Sequence, residues 1–249
     1  MIRYLLSDES WSRLKEIMFH FKIYNKLNLR KVVEGILYRM RTGIPWRDLP
    51  AEFGCWNSVY QQFNRWSKKS KLTNVFKYIV DDPDLEWVLI DGTIVKAHQH
   101  STGSSTKSSE AIGKSVSGNS TCIHLATDAF GLPIDFIITE GQVHDVVIAP
   151  KLISQVPISS YVIAYKGYDD ESLRNQIRNR GSIPICPRKS NSLIGNDDID
   201  WNLYKHRHLV ENCFARIKHF RGVATRYDKL KRNYKSTTAL AFILMWLRI

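Results

Sequence analysis

Tyr204, Arg207, Glu211 and Lys218 form a set that could handle a phosphodiester. On an α-helix each residue turns by about 100°, so these four fall within a stripe of about 60°. The spacing predicts one helix over 202–220, anchored by Val210, Phe214 and Ile217 on the adjoining face. A Glu there can hold a divalent cation, and Arg and Lys can balance phosphate charge. A solvated face with an Arg207–Glu211 pair four residues apart fits the same composition. Asp91 is the second candidate. It closes the apolar run Trp87–Ile90 and precedes Gly92-Thr93. A carboxylate at the end of a buried parallel strand faces the crevice where α/β proteins bind ligands. A turn-forming Asp before Gly has the same pattern.

The surrounding elements decide whether these residues can meet. Residues 7–20 begin with a capping Ser7 or Asp8 and carry Trp11, Leu14, Ile17 and Met18 at helical spacing. Residues 29–42 repeat Val32, Val33, Ile36, Leu37 and Met40, with Gly43 placed to end the helix. Residues 56–68 carry Trp56, Val59, Tyr60, Phe63 and Trp66 as one apolar stripe. Three short helices with basic residues between apolar ones suit a helix-turn-helix unit or a plain helical bundle. The character then changes near residue 85. WVLID (87–91) reads as a buried strand, and the Ser-rich stretch 101–120 reads as a mobile surface loop. Residues 121–129 and 134–140 form a hairpin around Gly131-Leu132-Pro133. Helices at 145–156 and 169–180 alternate with strands at 161–165 and 182–186, and 188–200 is a polar loop. This order implies an α/β sheet with parallel pairing after the meander.

Charge is arranged in blocks. The net charge is +12, with +9 over 1–80, −6 over 81–200 and +9 over 201–249. Basic surface attracts polyphosphate through counterion release, and local carboxylates can hold a divalent cation. Arg47, Arg65, Lys68, Lys69 and Lys71 are candidates for phosphate contact, as is the Lys/Arg-rich tail 216–235. Trp46, Trp56 and Trp66 fit a small helical core better than base stacking. Cys55, Cys122, Cys186 and Cys213 form no CxxC pair, which favours a reducing compartment over a disulfide framework or zinc site. His98, His100, His124, His144 and Asp145 match no zinc spacing either. No signal peptide or membrane span is expected, and the apolar end LAFILMWLRI should pack on the sheet.

The spacing Tyr204-x2-Arg207-x3-Glu211-x6-Lys218 resembles the Y-x2-R-x3-E-x6-K signature of bacterial insertion-sequence DDE transposases of the four and five groups. LSDESW (6–11), GILYRMRTGIPWRDLP (35–50), FGCWNSVYQQFNRW (53–66), DGTIVKAHQH (91–100), HLATDAFGLP (124–133) and GQVHD (141–145) are similar to blocks of the five group, in order. The resemblance implies a helical DNA-binding domain at 1–80 and a ribonuclease-H-like catalytic domain at 85–249. It implies an Asp, Asp, Glu triad holding two Mg²⁺ ions, with Mn²⁺ as a substitute. Asp91 would be the first acid and Glu211 the third, both metal ligands, with Tyr204, Arg207 and Lys218 positioning DNA. The second acid is expected in a segment like A-D-K/R-G/A-Y-D, where this chain reads Ala164-Tyr165-Lys166-Gly167-Tyr168-Asp169. A neutral phenol is a poor Mg²⁺ ligand, and Asp169 and Asp170 are weak substitutes that better suit a helix cap. The expected function is binding of terminal inverted repeats with metal-dependent cleavage and strand transfer, impaired by Tyr165. The alternatives are a catalytically dead DNA-binding protein occupying transposon ends, or a metal nuclease of similar fold. Expected partners are double-stranded DNA and a second copy of the chain, and the expected location is the bacterial cytoplasm at the nucleoid.

Overall fold

A computed structural model describes residues 4–24, 26–101, 110–116 and 118–248. Four helices come first: α1 (Asp8–His20), α2 (Leu29–Thr42), α3 (Trp56–Lys68) and α4 (Lys71–Ile79). Strands β1 (Trp87–Ala97), β2 (Gly113–Ser115), β3 (Gly118–Thr127) and β4 (Pro133–Glu140) follow. Then α5 (Asp145–Gln155), β5 (Tyr161–Ala164), α6 (Glu171–Asn179) and β6 (Ile183–Ile185) alternate. The rest comprises α7 (Trp201–Tyr204), α8 (His208–Lys218), α9 (Arg221–Ala224), β7 (Thr225–Arg226) and α10 (Lys231–Trp246). The chain divides into two interleaved compact units. One gathers the described residues of Met1–Asp81, Lys96–Glu110 and Ile217–Ile249, the other those of Asp82–Val95 and Ala111–Arg216.

The first unit is helical. The three helices read from sequence form as expected, with the Ser7 hydroxyl accepting from the Ser10 N–H at α1 and Gly43 closing α2 at φ +72°. Two 3₁₀ turns, Trp46–Asp48 and Ala51–Phe53, connect α2 to α3, longer than the turn of about 3–4 residues in a tight helix-turn-helix. α4 was not marked by the sequence reading. The apolar end of the chain, expected on the sheet, instead builds α10, which packs on α3 and α4, with Phe242 5.4 Å from the Phe76 ring. Its apolar residues leave water by completing the helical core rather than a sheet face. The basic tail needs a second correction. Arg226, within the stretch expected along DNA, is 0% exposed and donates to the Asp228 and Lys229 carbonyls. Asp228 also pairs with Arg39 at 3.1 Å and accepts from the Thr237 hydroxyl, while the Arg39 guanidinium lies over Trp46 at 4.7 Å.

The second unit is a mixed sheet with helices. Its strand path runs β2-β3-β1-β5-β6, with β4 also paired to β3. β3 and β4 are antiparallel, while β1, β5 and β6 run parallel in the register Ile90↔Ala164 and Ile163↔Ile185. A meander extended by parallel strands on one side is the ribonuclease-H-like arrangement, and the mixed α/β expectation holds. Val88, Leu89 and Ile90 are fully buried, as a strand covered on both faces requires. The hairpin turns at Gly131 (φ +77°), where Asp128 accepts from the Phe130 and Leu132 N–H groups. Of the Ser-rich stretch 101–120, residues 102–109 and 117 lie outside the described residues. Its later part forms β2, paired with 118–120 of β3.

The Arg39–Asp228 pair is 5–6% exposed on both sides. Removing one partner strands the other charge in a poor solvent, so Asp228→Ala is expected to cost about 3–5 kcal/mol. The double variant Arg39→Met/Asp228→Ala should cost less than Asp228→Ala alone. Urea unfolding of both checks this, and a double variant less stable than the single one contradicts it.

Candidate active site

The site is built in the second unit from the end of the buried run of β1, the end of β5 and the segment leading into α8. Asp91 follows Ile90, and Ile90 lies opposite Ala164 of β5. Tyr165 follows directly on the end of β5, so where the parallel pairing ends, at Ile90 and Ala164, the next residues on the two chains are Asp91 and Tyr165. Arg207 joins them to Glu211. Its Nη1 donates to Asp91 Oδ2 at 3.4 Å, and its Nη2 donates to Glu211 Oε1 at 2.6 Å. The same guanidinium lies 5.8 Å from the Tyr165 ring centroid. The Tyr165 ring folds over Gly167, where an added Cβ would fall 2.7 Å from Cε1.

Asp91 is held tightly. Its Oδ1 accepts from the Gly92 N–H at 2.8 Å. Burial pushes its carboxyl up to about 6, and the charges of Asp145 and Glu211 add to the rise, while the Gly92 N–H and Arg207 oppose it.

The helix expected over 202–220 is broken. α7 ends at Tyr204, Lys205–Arg207 winds as a 3₁₀ turn, and α8 begins at His208 and ends at Lys218. A 3₁₀ turn advances about 120° per residue, so Tyr204 and Arg207 leave the repeat that relates Glu211 to Lys218. The cause is local. The His206 ring stacks on Trp87 at 5.0 Å, and His208 Nδ1 meets the Lys205 carbonyl at 2.7 Å. Arg207 and Glu211 still pair as residues four apart. Lys218 is exposed at the end of α8. Arg47, Arg65, Lys68 and Lys69 are exposed in the helical unit, Arg47 at 5.8 Å from the Trp56 ring centroid.

Asp169 and Asp170 are engaged elsewhere. Asp169 takes Arg174 Nη1 at 2.7 Å on one oxygen and the Lys189 N–H at 2.8 Å on the other. Asp170 caps α6 by accepting from the Leu173 N–H. The structure does bring together a group that the sequence reading took apart: Cys122, His124 and Asp145. Cys122 and His124 are two apart on β3 and so share a face, a signal present in the sequence. His124 Nδ1 meets Asp145 Oδ1 at 2.9 Å, and its Nε2 meets the Thr139 hydroxyl at 2.7 Å. Asp145 also presses on Gly92, where a Cβ would fall 2.1 Å from Oδ1. Strand alternation turns the Asp91 side chain to the opposite face from that contact. The trio therefore pins the first turn of α5 to β3 behind Asp91. Burial, then the charge of Asp145, pushes the Cys122 thiol far up, so it stays protonated.

Because its carboxyl titrates higher in the fold than in the unfolded chain, Asp91 costs no stability below about pH 4. It costs progressively more as pH rises to about 6, where the penalty levels off near 3 kcal/mol. Asp91→Asn is expected to raise the melting temperature at pH 7.5 and to lose that advantage at pH 4. Thermal melts at the two pH values check this, and an equal effect at both would contradict the buried-charge account.

Comparison with known proteins matches the chain to a family. Residues 6–76 match the family described as "Putative transposase of IS4/5 family", and residues 82–246 match "Transposase DDE domain". A Brucella ovis protein, "Putative transposase for insertion sequence element IS6501", is 33% identical over 132 residues, covering 51% of this chain and 98% of that protein. "Uncharacterized protein y4sN" of Sinorhizobium fredii is 34% identical over 101 residues, covering 39% of this chain and 81% of that protein. Among solved structures, the piggyBac transposase synaptic complex with hairpin DNA is similar at a TM-score of 0.42 and 9% identity, over 79% of this chain and 51% of that one. With the DDE domain matched over about two thirds of its length, the chain belongs to the DDE transposases of bacterial insertion sequences, and by family it is a DNA-transposing enzyme.

Proposed function

We propose that the chain binds the ends of its insertion sequence as duplex DNA and cleaves and joins strands there, with Asp91 and Glu211 as ligands for Mg²⁺. DDE domains depend on a divalent metal. The observation that carries the reading is Arg207 spanning Asp91 and Glu211, two carboxylates 120 positions apart in sequence. The donor set fits the ion: two hard oxygen ligands, one in a pocket that penalises its bare charge. When bound, such an ion polarises the scissile phosphate and stabilises the leaving oxygen. Arg207, which balances both carboxylates as the structure stands, is then available to a phosphate oxygen. Tyr204 borders Arg207, and Lys218 extends the basic surface along α8. The helical residues 1–80 supply the DNA-holding part and the DDE domain the chemistry. At least two copies assemble when two ends are held together. No described helix is long and apolar enough to cross a membrane.

Tyr165 supports a second reading, a DNA-binding protein that occupies transposon ends and cuts poorly. The phenol beside Asp91 supplies no negative charge at neutral pH. End cleavage of a labelled duplex carrying the element's own terminal repeat, in Mg²⁺ and in Mn²⁺, separates the readings. The expected outcome is that Tyr165→Asp cuts faster than the chain as written by on the order of 10²-fold, with tighter Mn²⁺ binding by electron paramagnetic resonance. Equal cutting by both would remove Tyr165 from the vital position, and equal failure would leave the DNA-occupying reading.

A further inference from the structure

Helix α3 is two-faced. Val59, Phe63 and Trp66 are 0–3% exposed and pack into the helical unit. Asn57, Gln61, Arg65 and Lys68, at steps of four, four and three, line the opposite face and are exposed. The helix has no acidic residue. Among the described residues, the side chains of Asn57, Gln61, Gln62 and Arg65 take part in no hydrogen bond or ion pair. This is a row of free amide and guanidinium donors on a rigid support, held by α2, α4 and α10.

Two grooves flank the row. One is lined by Tyr24, Lys26, Asn57, Gln61, Gln62 and Arg65 among others, and the second by Lys22, Lys26, Arg65, Lys69 and Lys71. No lining residue of either groove is acidic. Lys71 is held below its ordinary value, first by burial and then by the neighbouring charges of Lys69 and Lys22. Helices α1 and α2 offer no equivalent. The outer face of α1 carries Asp8, Glu9 and Glu16, which phosphate would repel, and α2 is buried along most of its length.

Free Asn, Gln and Arg side chains on an acid-free helix match the base-edge code of duplex DNA. Asn and Gln can pair with adenine N6 and N7, and Arg with guanine O6 and N7. An α-helix with its side chains is about 10–12 Å across, a fit for a major groove about 12 Å wide, and the 13 residues of α3 give it about 20 Å to lie along that groove. We propose that α3 is the sequence-reading helix, with Asn57, Gln61 and Arg65 on base edges in the major groove and Lys26, Lys68 and Lys69 on the flanking phosphates. This rests on the reading of the chain as a binder of its element's ends, and names the residues that choose them.

The test is fluorescence anisotropy with the full chain in metal-free buffer, on the terminal-repeat duplex and on a scrambled duplex of equal length and composition. Salt is varied. Gln61→Ala and Asn57→Ala should each cut the ratio of repeat to scrambled affinity by about tenfold, leaving scrambled binding unchanged. Lys68→Ala/Lys69→Ala should weaken both duplexes equally and flatten the salt dependence by about one to two ions. All three replace exposed side chains, and unchanged melting temperatures confirm the fold. If the unaltered chain discriminates and the Gln61 and Asn57 variants keep its full ratio, α3 is not the reader. If those variants weaken both duplexes alike, the row contacts only phosphate and the assignment also falls. If the unaltered chain does not discriminate at all, the binding of specific ends falls with it.

Discussion

One guanidinium holds the candidate site together. Arg207 answers two carboxylates, the largely buried Asp91 and the half-exposed Glu211, whose repulsion bears on Asp91, and it reaches Asp91 from a segment far along the chain. The repulsion is a consequence of the fold: β1 must be buried on both faces to carry the sheet, so the acid at the end of its apolar run is buried with it. The raised Asp91 carboxyl is the measurable trace of that conflict. Such a pocket is less stable empty of positive charge than filled with it. Arg207 meets the need without an ion, and its pairing strength sets how readily it can yield to one.

Tyr165 alters this balance in two ways. On the proposed reading it leaves the pocket one carboxylate short, and so a weaker magnet for a divalent ion. It also offers Arg207 an aromatic face at 5.8 Å, an interaction that asks nothing of a metal. The ring lies where only a glycine at 167 leaves room. The neighbouring acids do not replace the charge, because Asp169 is saturated by Arg174 and the Lys189 N–H, and Asp170 ends its carboxylate on the first turn of α6.

What the sequence made legible was local. Ser7, Gly43 and the Trp56–Trp66 stripe delimit three helices because caps and apolar repeats act over a few residues. The run Trp87–Asp91 announced a buried strand, and the hairpin around Gly131 followed from its turn. Tertiary partners decided the rest. Nothing in 202–220 foretold that His206 would stack on Trp87 and tighten the chain before Arg207. Arg226 reads as one more basic residue of a tail, yet two carbonyls and a helical core enclose it. The Cys122, His124 and Asp145 trio needs the α5 turn laid on β3 before it exists.

The interleaving of the first unit bears on its biosynthesis. α1 to α4 leave the ribosome early, but the residues that seal their core, Leu240 and Phe242 of α10 and the Asp228 that answers Arg39, are translated only after the whole of the second unit. Contacts of such sequence separation close late and at an entropic cost. A chain that stops short of α10 therefore presents an unsealed helical head, prone to proteolysis and aggregation. Assembly of the head thus waits on synthesis of the chain through α10.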